Sequence, residues 1–106
     1  MPFEDFNAEE EVKKIVVDAV AANTHMEKEH VLPTILLSDI ESLDLQEILI
    51  EIEEQCDALQ PLEKRNLRIR ISDEEAQKAK TVSDLIALTV ASVESILREV
   101  SGDTEA

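Results

Sequence analysis

Apolar residues recur along this chain at helical spacing, in stretches separated by polar breaks. The most regular pattern falls in the run 38–56, S-D-I-E-S-L-D-L-Q-E-I-L-I-E-I-E-E-Q-C. There Leu45, Ile48, Leu49, Ile52 and Cys56 follow the i, i+3, i+4, i+7, i+11 positions that line one helical face. Asp44, Glu47, Glu51, Glu53 and Glu54 fill the positions between them, with no basic residue in the run. The pattern predicts an acidic amphipathic helix over 43–58, with Ser42 as its cap. Pro61 forbids a clean continuation. Leu43 and Ile50 lie off the main stripe. They either flank the acidic face as a docking pair or complete a wide buried face.

Before this helix, Val12, Ile15, Val16, Ala19 and Val20 predict a first helix over 9–22. Glu9, Glu10 and Glu11 in its first turn suit the helix dipole, and Asn23 and Thr24 are expected to end it. The lead-in over 1–8 holds both phenylalanines, Phe3 and Phe6. The connection 25–39 is long and unusually apolar: Val31, Leu32, Ile35, Leu36 and Leu37 predict a loop that packs over helix ends.

After the central helix, Lys64, Arg65, Arg68 and Arg70 form a basic island whose tail, N-L-R-I-R-I-S, alternates like an extended segment. Ser72 or Asp73 can cap a brief helix reaching about Ala79. Thr81 followed by Asp84 is a capping pattern for a last helix carrying Val82, Leu85, Ile86, Val90, Val93, Ile96, Leu97 and Val100, with a stop expected at Gly102 and a frayed polar tail beyond. The fold class expected is all-α, in one domain over 1–106: three longer helices and one short one.

Composition narrows the function classes. Twenty-five acidic and 10 basic residues give a formal net charge of -15, which repels nucleic acid and anionic membranes and steers association toward basic partners. Hydrophobic residues make up 43% of the chain, enough for a modest core of small aliphatic pieces. One cysteine cannot form an internal disulfide, and no apolar run reaches membrane-spanning length. A cytoplasmic monomer without signal peptide or membrane span is the expectation.

Candidate chemistry is sparse. His25 and His30 read as solvent-facing, and the acids Asp39, Glu41 and Asp44 lack the glycine and ligand spacing of a calcium loop, so no metal is expected. Ser42 has no glycine-flanked elbow and no nearby histidine, which argues against hydrolysis. Cys56 lies on the apolar stripe and reads as a buried, inert thiol.

The run E-S-L-D-L-Q-E-I-L-I-E-I-E-E-Q-C resembles the start of the second helix in the acyl carrier protein family, where a D-S-L motif precedes an acidic helix ending in a glutamate pair and an apolar residue. The later I-S-D-E-E-A-Q-K-A-K-T-V-S-D-L resembles that family's short third helix and the start of its fourth, so the likeness covers roughly residues 9–95. The resemblance implies a four-helix acyl-carrier-like bundle, with 4'-phosphopantetheine carried on Ser42 through a phosphodiester. It implies no catalysis by the chain itself. Glu41, Asp44, Glu47, Glu53 and Glu54 match the family's acidic docking positions, and Leu43 and Ile50 its exposed apolar contacts. The implied partners are a phosphopantetheinyl transferase and acyl-transferring or synthase enzymes with basic docking surfaces, in fatty-acid, lipid or polyketide-type synthesis.

Three departures from the family pattern imply, within this resemblance, a specialised carrier. Glu41 replaces the aspartate before the serine, and the preceding loop is about two residues short and lacks its glycine. About ten residues are inserted around 58–67, and the final helix is extended. The alternative is a carrier-like fold serving, unmodified, as an acidic interaction module.

Overall fold

The computed structural model describes residues 7–105, and its secondary structure there is helical. Five α-helices follow in order: α1 (Ala8–Thr24), α2 (Ser42–Asp57), α3 (Gln60–Lys64), α4 (Asp73–Lys78) and α5 (Val82–Glu105). Two 3₁₀ turns, Lys28–His30 and Leu37–Asp39, lie in the connection between α1 and α2. The all-α expectation holds, with five helices where four were expected. None is long and apolar enough to cross a membrane. Residues 1–6 of the expected lead-in, with both phenylalanines, lie outside the described residues.

Helix α1 is the central member, lying against both α2 and α5. Its inner face is built of small residues, Val12, Val16, Ala19 and Val20, all fully buried. Side chains this short let the helix axes approach closely. Against them the core gathers Ile48, Ile52 and Cys56 of α2 with Val82, Leu85 and Val93 of α5, again fully or almost fully buried. Each larger aliphatic side chain withdrawn from water contributes about 1.5–3 kcal/mol. Thr89, the buried polar residue of α5, donates its hydroxyl to the Leu85 carbonyl 2.8 Å away and so carries no unmet hydrogen bond.

Asn7 caps α1, its Oδ1 accepting from the Glu10 N–H at 3.2 Å. The helix runs two residues past its expected end. Asn23 and Thr24 do not stop it; their side chains bond back to the carbonyls of Ala19 and Val20 from within the last turn. His25 stops it, taking a left-handed conformation at φ 59°.

The connection 25–41 does pack over helix ends, but with only part of its apolar content. Val31 and Leu37 are buried and Ile35 half-buried, whereas Leu32 and Leu36 are exposed. Backbone hydrogen bonds sew this loop to the start of α5: Leu37 N–H to Lys80 O at 2.8 Å, Val82 N–H to Ile35 O at 2.9 Å and Ser83 N–H to Pro33 O at 2.9 Å.

Between α2 and α4 the chain makes a second excursion. Pro61 occupies the first turn of the short α3, where its missing N–H costs nothing, and Leu62 anchors that helix in the core. Asn66, at φ 57°, reverses the chain, and residues 67–72 then run extended. This strap alternates as its sequence predicts: Ile69 and Ile71 are buried, Arg68 and Arg70 exposed. Ser72 caps α4, which ends at Lys78. Helix α5 runs through Gly102 to Glu105, so the expected stop and frayed tail give way to continued helix. One glycine costs a helix only about 1 kcal/mol relative to alanine, too little to end a 24-residue element.

Candidate functional site

Helix α2 presents two opposite faces. Ile48, Ile52 and Cys56 turn inward and are fully buried. Leu43, Glu47, Ile50 and Glu54, at i, i+4, i+7 and i+11, turn outward as one continuous stripe about 16 Å long. Leu43 is 73% exposed and Ile50 54%, which decides between the two readings of this pair: neither completes a buried face. Large aliphatic side chains held in water beside carboxylates form a surface with no role in the core.

Ser42 stands exposed at the first helical position. It is not the cap, contrary to the sequence expectation. Glu41 takes the capping position with extended backbone (φ -61°, ψ 146°), and its side chain makes no capping hydrogen bond. Upstream, the 3₁₀ turn Leu37–Asp39 closes with Ile40 N–H on Leu37 O at 3.1 Å, Ile40 and Glu41 then run extended, and Ser42 is the first residue with helical geometry. The first intrahelical bond is Leu45 N–H to Glu41 O at 2.9 Å. Among the described residues, no side chain or loop carbonyl accepts from the N–H groups of Ser42, Leu43 or Asp44. These donors, with the positive end of the helix dipole, surround the serine hydroxyl with partial positive charge.

The acids singled out from the sequence divide by environment. Glu41, Glu47 and Glu54 are exposed and Asp44 is half-buried. Glu53 is half-buried and engaged: its Oε2 accepts from the Ile71 N–H at 2.7 Å. One turn on, Asp57 Oδ1 accepts from the Ile69 N–H at 2.9 Å, and its Oδ2 pairs with Arg70 at 3.3 Å. Two carboxylates of α2 thus hold the strap by alternate backbone amides. Sequence reasoning did not assign this role to Glu53 or Asp57. A signal existed in the spacing: four residues of helix rise about 6 Å, and two residues of strand span about 6.6 Å, so acids at i, i+4 can address amides at j, j+2.

Cys56 is buried as expected; burial first, and the neighbouring Asp57 second, push its thiol up to about 12. A thiol so placed remains protonated and unreactive at neutral pH. His25 and His30 are both exposed, and no group of metal-ligating side chains forms among the described residues. Compared with models of known protein families and with solved structures, the chain matches none.

Proposed function

We propose that this chain is a carrier protein whose Ser42 bears 4'-phosphopantetheine, on which acyl intermediates are held as thioesters for synthesis of fatty acids, other lipids or polyketide-type products. In this reading α1, α2, α4 and α5 correspond to the four helices of an acyl-carrier-like bundle, and α3 with the strap is an insertion after the second. The observation that carries it is the juxtaposition at the start of α2: an exposed serine hydroxyl beside three unengaged N–H groups, next to an exposed apolar and acidic stripe. A phosphodiester at Ser42 would place its charge where amide donors and the helix dipole offset it. Bound there, the group would supply a flexible arm ending in a thiol.

The chain's own residues would do the rest. Ser42 would fix the arm, Leu43 and Ile50 would enter apolar depressions on a partner, and Glu41, Asp44, Glu47 and Glu54 would meet basic side chains around them. Glu53, tied to the strap, would contribute less than its neighbours. The partners are a phosphopantetheinyl transferase and acyl-transferring or synthase enzymes; neither nucleic acid nor a second copy of the chain is required, and no catalytic group is invoked.

The test is an intact mass after incubation with coenzyme A and a broad-specificity phosphopantetheinyl transferase. One arm is expected, located on Ser42 by peptide mapping. No addition under conditions that load an ordinary carrier would overturn the reading. The exposed stripe equally suits an unmodified interaction module; that alternative predicts partner binding that survives Ser42→Ala and is lost in a Glu47→Lys, Glu54→Lys double variant, two exposed acids with no part in holding the strap.

A further inference from the structure

The strap has two backbone edges, and only one of them is used. In extended backbone successive N–H groups point to opposite sides. Those of Ile69 and Ile71 are taken by Asp57 and Glu53, so that edge belongs to α2. The N–H and carbonyl groups of Arg68 and Arg70 therefore face the other way. Among the described residues they meet no hydrogen-bond partner.

The strap also stops short of closing against α5. Ile69 and the two arginines share a cleft of about 430 Å3 with Leu88, Ala91 and Ile96 of that helix. Ala91 is exposed and Leu88 and Ile96 are half-buried, which gives the cleft an apolar surface. The charges around it balance: Arg68 and Arg70 on the strap, Glu75 of α4 and Glu99 of α5. Such a cleft has no net sign with which to draw an ion of either kind. What it offers is an unpaired backbone edge, repeating at about 6.6 Å, beside apolar side chains.

We propose that this cleft binds a segment of a partner protein in extended form, added to the strap as a second strand. Donors and acceptors at j and j+2 are the pattern that another extended backbone complements. Apolar side chains at alternate positions of the segment rest on Leu88, Ala91 and Ile96. The segment itself is uncharged, because a charge of either sign meets a like charge at the rim. A second copy of the strap is a poor occupant, since that pairing sets arginine opposite arginine. The site is separate from the exposed stripe of α2 and does not depend on what Ser42 carries.

Random heptapeptides displayed on phage and selected on the immobilised full chain are the probe, with enriched sequences resynthesised for titration by fluorescence anisotropy. Enriched peptides should be neutral, with apolar residues at alternate positions. N-methylation of alternate backbone amides should weaken binding about fivefold or more on one edge of the peptide, and hardly at all on the other. Arg68→Pro removes one edge donor at an exposed position and should weaken binding about fivefold or more, whereas Arg68→Ala should stay within about twofold. Ala91→Arg, which fills the cleft from an exposed helix position, should abolish binding, and Glu47→Lys should leave it unchanged. If no neutral peptide is enriched, or if N-methylation on either edge is tolerated, strand addition is overturned. Loss of binding in Glu47→Lys would place the peptide on α2 and overturn it equally. Self-association of the chain that is lost in Arg68→Pro would put a second copy there instead.

Discussion

Two helices of this protein begin in opposite ways. At α5 the Val82 and Ser83 N–H groups donate to the carbonyls of Ile35 and Pro33. Thr81 and Asp84 complete the entrance reciprocally: Asp84 N–H donates to Thr81 Oγ1 at 3.1 Å and Thr81 N–H to Asp84 Oδ2 at 3.2 Å, with the Lys80 N–H on the same carboxylate oxygen at 3.0 Å. At α2 the corresponding donors meet no protein acceptor among the described residues, and Glu41 offers no side-chain cap. An unmet cap costs a helix roughly 0.5–2 kcal/mol. The chain completes the first entrance with its own groups, whereas at the second the described residues supply none.

The comparison can be broken most decisively at Ser42. On the proposed carrier reading, Ser42→Ala abolishes loading by a phosphopantetheinyl transferase, while the melting temperature should move by less than about 2 °C, because the hydroxyl makes no capping bond. At α5 the balance should invert. Thr81→Ala should cost about 1–2 kcal/mol, lowering the melting temperature by several degrees in circular dichroism, and Asp84→Asn should lower it in the same direction, both with loading intact. Glu41→Ser should work in the opposite direction, adding the missing cap and stabilising α2 by about 0.5–1 kcal/mol in urea titrations.

The smallest effect concerns pH. Backbone hydrogen bonds from Lys80 and Thr81 hold the Asp84 carboxyl below its ordinary 3.8. A depressed carboxylate contributes stability above its unfolded value, and that contribution is lost as pH falls through the folded value. The stability gap between wild type and Asp84→Asn should therefore be constant above about pH 5 and should close below 3.8. A gap unchanged at pH 3 would show that the α5 entrance does not depend on the ionised carboxylate.

Much of the fold was legible because the long helices repeat their apolar residues over several turns. Val12, Val16 and Val20 on one side and Ile48, Ile52 and Cys56 on the other needed only the 3.6-residue period. The Thr81–Asp84 entrance was legible too, since a capping box is local chemistry. Helix α3 was not, because five residues are too few to show a period and Pro61 reads as a break. Ser42 was placed one position out of register, since serine is a far commoner cap than the glutamate that takes the position here. Leu43 and Ile50 were visible as residues off the stripe, but periodicity alone could not say whether a third element covered them. Glu53 was assigned by analogy of position, and its bond to the strap depends on a contact across 18 residues.

The alternating strap also limits how this region can change length. Side chains along an extended segment change sides at every residue, so parity governs what an insertion does. One residue added between Asn66 and Ile69 would send Arg68 or Arg70 toward the core and bring Ile69 and Ile71 to the surface. Two added residues would restore the phase and merely lengthen the turn. Variation here should therefore proceed in even steps.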